Sequence, residues 1–229
     1  MTLISIGCNG AARFTNLICA ELNSLVVSVL VKTFLVHFFF IPSGSMENTL
    51  KVGDRIAVNK IATFWSDIKR GEVVVFKDPE NWLGAAQVTK DSSPIGKIKS
   101  GLEWVGVLPD PAKQYLIKRT IGVGGDHVVC CDKDGFLQVN GISVHEPYIY
   151  PGNKPSDSNF DVTVPKGFIW VMGDHRGASA DSRFHTNDSH KGMVPLKDVV
   201  GRAEFVIWPF NHLAFLPTGK DLSVIPVVK

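Results

Sequence analysis

The sequence predicts a mainly β protein entered through a single N-terminal transmembrane helix. Two observations carry this reading. The run Leu22–Ile41 holds fourteen apolar residues in twenty, and twenty helical residues span about 30 Å, the depth of a hydrocarbon core. Beyond it come short runs of branched and aromatic residues divided by Gly, Asn and Asp, with no long 3.6-residue apolar period. A chain of 229 residues, 45% hydrophobic and 20% charged, suits one medium-sized folded domain rather than a disordered chain.

The apolar run has two polar interruptions, Lys32 and His37. A lysine at the centre of a span costs roughly 2.5–3.5 kcal/mol. The span is therefore placed at 17–40, with Lys32 in its outer half. The competing reading is a buried core helix. Orientation stays open on charge alone: only Arg13 and the terminal amine precede the run, while Lys51, Arg55 and Lys60 follow it, and long domains translocate largely regardless of such charges. The net charge of +2 is scattered, with no basic stripe, so no nucleic acid partner is expected. Of the four cysteines, Cys130 and Cys131 are adjacent, and neighbouring Cα atoms about 3.8 Å apart sit closer than a relaxed disulfide prefers. No disulfide framework is expected. The seven histidines show no metal-ligand spacing, and no metal or cofactor is expected.

The strands expected are Arg55–Ile61, Glu72–Lys77 and Tyr115–Val123, then a set of hairpins over His127–Val144, and later runs in FDVTVP, GFIWVMGD and GRAEFVIWPF. Asp134-Gly135 and Asn140-Gly141 favour the positive φ angles of hairpin turns. Glu80 to Ala112, rich in Gly, Ser, Lys and Pro, reads as a long surface excursion.

IPSGSMENTL, directly after the apolar run, reads on its own as a linker, a signal-peptide cleavage site or an active site at the membrane surface. A serine needs a base to take its proton. Asp126-His127 and Asp174-His175 are poor triads, because adjacent residues on a strand point to opposite faces. A lysine can serve once burial lowers its pKa from about 10.4. Lys118 lies on a predicted strand where Leu116, Lys118 and Thr120 share a face.

PSGSM at 42–46, VGD at 52–54, RGEVVVF at 70–76, IKRTIGVGGD at 117–126 and GDHRGASADSR at 173–183 occur in this order. In that respect the chain resembles bacterial type I signal peptidases, the membrane-anchored enzymes that remove signal peptides from exported proteins. The resemblance implies a signal-peptidase-type β-rich catalytic domain with a smaller inserted β subdomain. The implied divisions are a cytoplasmic tail 1–16, an anchor 17–40, a catalytic core 41–127 and 163–216, a subdomain 128–162, and a tail 217–229. It implies Ser45 as nucleophile and Lys118 as general base. Ser43 would serve the oxyanion hole beside the Ser45 N–H, and Ser179 would hydrogen-bond and orient the lysine. Asp181 and Arg183 would be a supporting ion pair, and Asp174 and Arg176 match the structural part of the same motif. Ile41, Pro42, Met46, Leu116 and Ile117 would line two shallow pockets for small-x-small sites, with the substrate bound as an added strand. The partners implied are preproteins carrying signal peptides and the lipid bilayer, with the domain outside the cytoplasm. Three positions depart from the family pattern: His175 for asparagine, Gly124 for proline, and Gly177 for a polar or acidic residue. The rival readings are a soluble Ser–Lys protease of the self-cleaving repressor type and an inactive anchored β-domain that binds exported chains.

Overall fold

The computed structural model describes residues 36–61, 67–84 and 114–226. The tail 1–16, residues 17–35 of the expected span, and residues 85–112 of the expected excursion lie outside the described residues. Twelve strands are described: β1 Val36–Phe40, β2 Arg55–Asn59, β3 Val73–Lys77, β4 Tyr115–Val123, β5 His127–Cys130, β6 Leu137–Val139, β7 Ile142–Val144, β8 Phe160–Thr163, β9 Phe168–Met172, β10 Val194–Pro195, β11 Val199–Trp208 and β12 Ala214–Phe215. Eight form one sheet in the order β1-β2-β11-β3-β4-β9-β10, with β12 against β11; β7-β6-β5-β8 form a second. Every pairing is antiparallel.

The side-chain pattern explains β3. Val73, Val74, Val75 and Phe76 are all buried. Val73 and Val75 face a cluster containing Phe39, Ile41, Met46 and Ile56, while Val74 and Phe76 face another containing Leu116, Trp82 and Val171. A strand covered on both faces reads as a continuous apolar run instead of an alternating one. A third cluster joins Ile121, Trp170 and Met172 of the large sheet to Val128, Leu137 and Val144 of the small one. The second sheet therefore shares its core with the first. Its β6–β7 hairpin turns on Asn140 and Gly141, at φ 55° and 76°, the left-handed geometry that a two-residue hairpin needs.

Two expectations change. The last five residues assigned to the span form β1, paired with β2 in register Val36↔Asn59 to Phe40↔Arg55. A phenylalanine run suits a strand as well as a helix, because its apolarity does not reveal its period. Here pairing supplies the backbone bonds, Phe39 packs inward, and Phe38 and Phe40 remain exposed. Any helical span must end before Val36, at least ten residues ahead of Ser45. Among the described residues no helix is long and apolar enough to cross a membrane. Second, Cys130 and Cys131 are joined by a disulfide across a cis peptide, which brings their Cα atoms to 2.9 Å instead of the trans spacing. Of the expected excursion, Glu80–Gly84 is a turn whose Trp82 packs edge-on against Phe76 and stacks on His185.

Candidate active site

The β1–β2 connection carries Ser45. Its ends are clipped together by Ile41 N–H to the Asp54 carbonyl and Gly53 N–H to the Ile41 carbonyl, each 2.9 Å. Between them, Glu47 N–H bonds the Gly44 carbonyl and Leu50 N–H the Met46 carbonyl, at 3.0 and 2.8 Å. Ile41, Met46 and Leu50 sink into the core beneath, at 2%, 0% and 0% exposure. A loop nailed down by three such side chains holds the intervening serine in one place.

Lys118 comes from β4, opposite Val74 in the pairing with β3. Its Nζ donates to Ser45 Oγ at 2.7 Å, although 73 residues separate the two in sequence. Both side chains belong to buried residues. Burial, the largest influence, brings the lysine pKa from 10.5 down to about 8, against the Asp181 and Asp174 carboxylates that push it up and with a smaller downward push from Arg183. At that value roughly a tenth of the amine is neutral at pH 7.

The loop after β9 surrounds this pair with buried charges. Asp181 accepts Arg183 Nε and Nη2 at 2.8 and 2.9 Å, and it also accepts Gly173 N–H at 2.9 Å. Arg183 Nη2 donates onward to the Arg176 carbonyl at 2.8 Å. Asp174 does not pair with Arg176. It takes Arg119 Nε and Nη2 at 2.9 and 2.7 Å, and Thr49 Oγ1 at 2.5 Å. Arg176 instead forks onto Glu146 at 3.1 and 2.5 Å and bonds the Gly173 carbonyl. Tyr148 donates to Glu146 and lies under Arg119, 4.1 Å from guanidinium carbon to ring centre. Burial holds the Tyr148 hydroxyl pKa well above its usual value. Each buried ion thus has a bidentate or multiple partner, the condition under which buried charges are tolerated.

The sequence therefore placed Ser45, Lys118, Asp181 and Arg183 in the neighbourhood where they are found together. It gave no role to Arg119, Glu146, Thr49 or Tyr148. Arg119 follows the lysine on the strand and so faces the other way, a signal that was available. Glu146 meets Arg176 only through folding. Ser179 differs from expectation: its hydroxyl is buried but makes no hydrogen bond, so the bond to Lys118 is not formed. The Ser179 side chain is packed instead against Gly173. A Cβ at Gly173 would lie 2.5 Å from Ser179 Cβ and 2.5 Å from the Ser45 carbonyl oxygen, so only glycine admits this approach.

The residues expected to line the two pockets fall in two core clusters and at the surface. Ile41, Met46 and Ile117 share one core cluster, while Leu116 belongs to a different one, as neighbours on a strand must. Pro42 is exposed, as is Ser43. The two rejected aspartate–histidine pairs are indeed split. Asp126 holds Arg70 and His127 meets Asp161; Asp174 holds Arg119 and His175 meets Glu47.

Comparison with known proteins identifies the family. The family described as "Signal peptidase, peptidase S26" matches residues 14–208. A probable signal peptidase I from Mycobacterium leprae (strain TN) is 39% identical over 204 residues, covering 77% of this chain and 70% of its own. Signal peptidase I of Mycobacterium tuberculosis (strain H37Rv) is 36% identical, covering 81% and 69%. Signal peptidase I T of Bacillus subtilis (strain 168) is 29% identical, covering 89% and 92%. On the extent of the family match and the identity to these relatives, the chain belongs to the signal peptidase family, peptidase S26, as a type I signal peptidase and peptide-bond hydrolase.

Proposed function

We propose that this chain removes signal peptides from exported preproteins by a Ser45–Lys118 dyad, cutting after small-x-small sites, and that it works at a membrane face. The observation that carries the reading is the buried 2.7 Å bond from Lys118 Nζ to Ser45 Oγ, made by a lysine whose pKa lies near 8. A general base is most effective when its pKa approaches the working pH.

In this scheme neutral Lys118 accepts the Ser45 Oγ proton as Oγ attacks the scissile carbonyl carbon. The resulting oxyanion takes the Ser45 N–H and the Ser43 hydroxyl. Such donors are each worth about 3 kcal/mol where measured in acyl transfer. Lys118 then gives its proton to the leaving amine, the mature chain departs, and the signal peptide remains as an ester on Ser45. Lys118 then takes a proton from a water that attacks the ester carbonyl, the C–Oγ bond breaks to free the signal peptide with a new carboxyl end, and Lys118 returns the proton to Oγ. Ser179, whose buried hydroxyl is free, is assigned to the lysine ammonium once the Ser45 proton has moved. Asp181, Arg183, Asp174 and Arg176 hold the loop that carries Ser179. Pro42 is assigned to the walls that receive the small side chains, with Ile41, Met46 and Ile117 as backing from one core cluster and Leu116 from the other.

The bilayer enters the proposal through the apolar run ahead of β1. An anchor there holds the domain at the surface, outside the cytoplasm, where a signal peptide's cleavage site emerges. The test is cleavage of a preprotein bearing an Ala-x-Ala site, in detergent, by wild type, Ser45→Ala and Lys118→Ala. Cutting after the second alanine by wild type alone supports the dyad. Equal cutting by both variants refutes it.

A further inference from the structure

We propose that Glu47 and His175 form a clamp that positions the backbone of the nucleophilic serine, making His175 a positioning residue for cleavage. The proposal rests on the Ser45–Lys118 reading above. Three observations converge. His175 N–H donates to the Ser45 carbonyl at 3.1 Å. The same residue's Nδ1 meets the Glu47 carboxylate at 3.1 Å, two residues beyond the serine. Its ring is stacked on Tyr150, centroids 4.1 Å apart and planes 12° from parallel, and Tyr150 N–H is tied to the Asp174 carbonyl at 2.9 Å. His175 is thus held from behind by an aromatic face and grips the serine loop at two points.

The loop is shaped for that grip. Glu47 folds back over Gly44: a Cβ there would lie 2.9 Å from the Glu47 carboxyl carbon and 3.0–3.1 Å from its oxygens. The glycine between the two serines therefore leaves room for the carboxylate that His175 holds. With Glu47 N–H already closed onto the Gly44 carbonyl, the turn containing Ser45 is fixed by its own backbone, by the carboxylate and by the imidazole. Lys118 fixes the hydroxyl, and the clamp fixes the peptide unit that carries it. A misplacement of the attacking atom by a fraction of an ångström is felt in the chemical step more than in binding.

The experiment measures kcat and KM of the full-length protein on the Ala-x-Ala preprotein, with unfolding temperatures alongside. His175→Ala and Glu47→Ala are expected to lower kcat roughly tenfold while KM stays within about twofold, the signature of an interaction that matters to the transition state. His175→Asn places an amide where Nδ1 stood and is expected to recover kcat to within about threefold of wild type. Gly44→Ala, which displaces the carboxylate, is expected to match Glu47→Ala. If His175→Ala destabilises the fold, Glu47→Ala and Gly44→Ala carry the test. Unchanged kcat in the alanine variants, a rise in KM alone, or an asparagine variant as weak as alanine overturns the clamp. Ser45→Ala and Lys118→Ala run in parallel: if they cut like wild type, the dyad falls and the clamp with it, whereas inactive dyad variants beside an unimpaired His175→Ala remove the clamp alone.

Discussion

Replacing Lys118 by methionine keeps an unbranched stem and removes the ammonium. In the wild type that ammonium is buried, and its pKa falls from 10.5 to about 8. The difference corresponds to roughly 3 kcal/mol spent on keeping the charged form inside the fold. Methionine escapes this cost but forfeits the bond to Ser45 Oγ, worth about 1 kcal/mol. The variant should therefore be inactive yet more stable at pH 7 by roughly 2 kcal/mol, a rise of about 4–8 °C in Tm for a chain of this size. The sign with pH follows from linkage. Between pH 8 and 10.5 the unfolded lysine holds more protons than the folded one, so wild-type stability rises relative to the variant. By pH 10.5 the advantage of methionine should vanish. Thermal unfolding of both full-length proteins in the same detergent, at pH 7 and pH 10.5, measures this directly. A variant that is less stable than wild type at pH 7, by the same margin as at pH 10.5, would refute the claim that Lys118 bears a desolvation cost.

Wild-type kcat/KM should rise about tenfold from pH 7 to pH 9, because the neutral fraction of a base near pKa 8 climbs from about a tenth to about nine-tenths; a flat profile across that range contradicts a lysine base. Asp174→Asn strips Arg119 of its fork inside the core and should cost roughly 3–5 kcal/mol by denaturant midpoint; a loss below about 1 kcal/mol would mean the guanidinium finds water. Ser179→Ala should leave stability equal or slightly higher, since it deletes a buried hydroxyl with no partner, while kcat falls; a marked loss of stability would show that the hydroxyl is bonded in the resting protein. Gly173→Ala should cost about 1–3 kcal/mol and most of the activity, because the new methyl group meets both Ser179 and the Ser45 carbonyl.

Much of this protein is written locally. Tyr115–Val123 reads as a strand from its branched and aromatic residues, and β4 has those same ends. Asn140-Gly141 announces its hairpin because positive φ is a property of two residues and needs no neighbours. The candidate site residues were legible for another reason: five short blocks in fixed order resemble a known family. Neither kind of signal carried the end of the apolar run. Val36–Phe40, apolar apart from His37, suits a helix or a strand, and only its pairing with Arg55–Asn59 makes it a strand. The ion pairs show the same limit. Asp181 and Arg183 lie two residues apart and could be paired on paper, but the partners of Asp174 and Arg176 are Arg119 and Glu146, 55 and 30 residues away. The approach of Lys118 to Ser45 was anticipated by resemblance, and a pKa lowered by burial by the need for a neutral base, yet the size of that lowering could not be, since the depth of burial and the fields of Asp181, Asp174 and Arg183 exist only after folding. Sequence by itself determined most of the segments that extend, the tight turns between them and which residues are candidates. Tertiary structure decided which charges meet, which side chains lose water and which hydroxyl is left free, because those are properties of distance and dielectric between segments that the chain order does not contain.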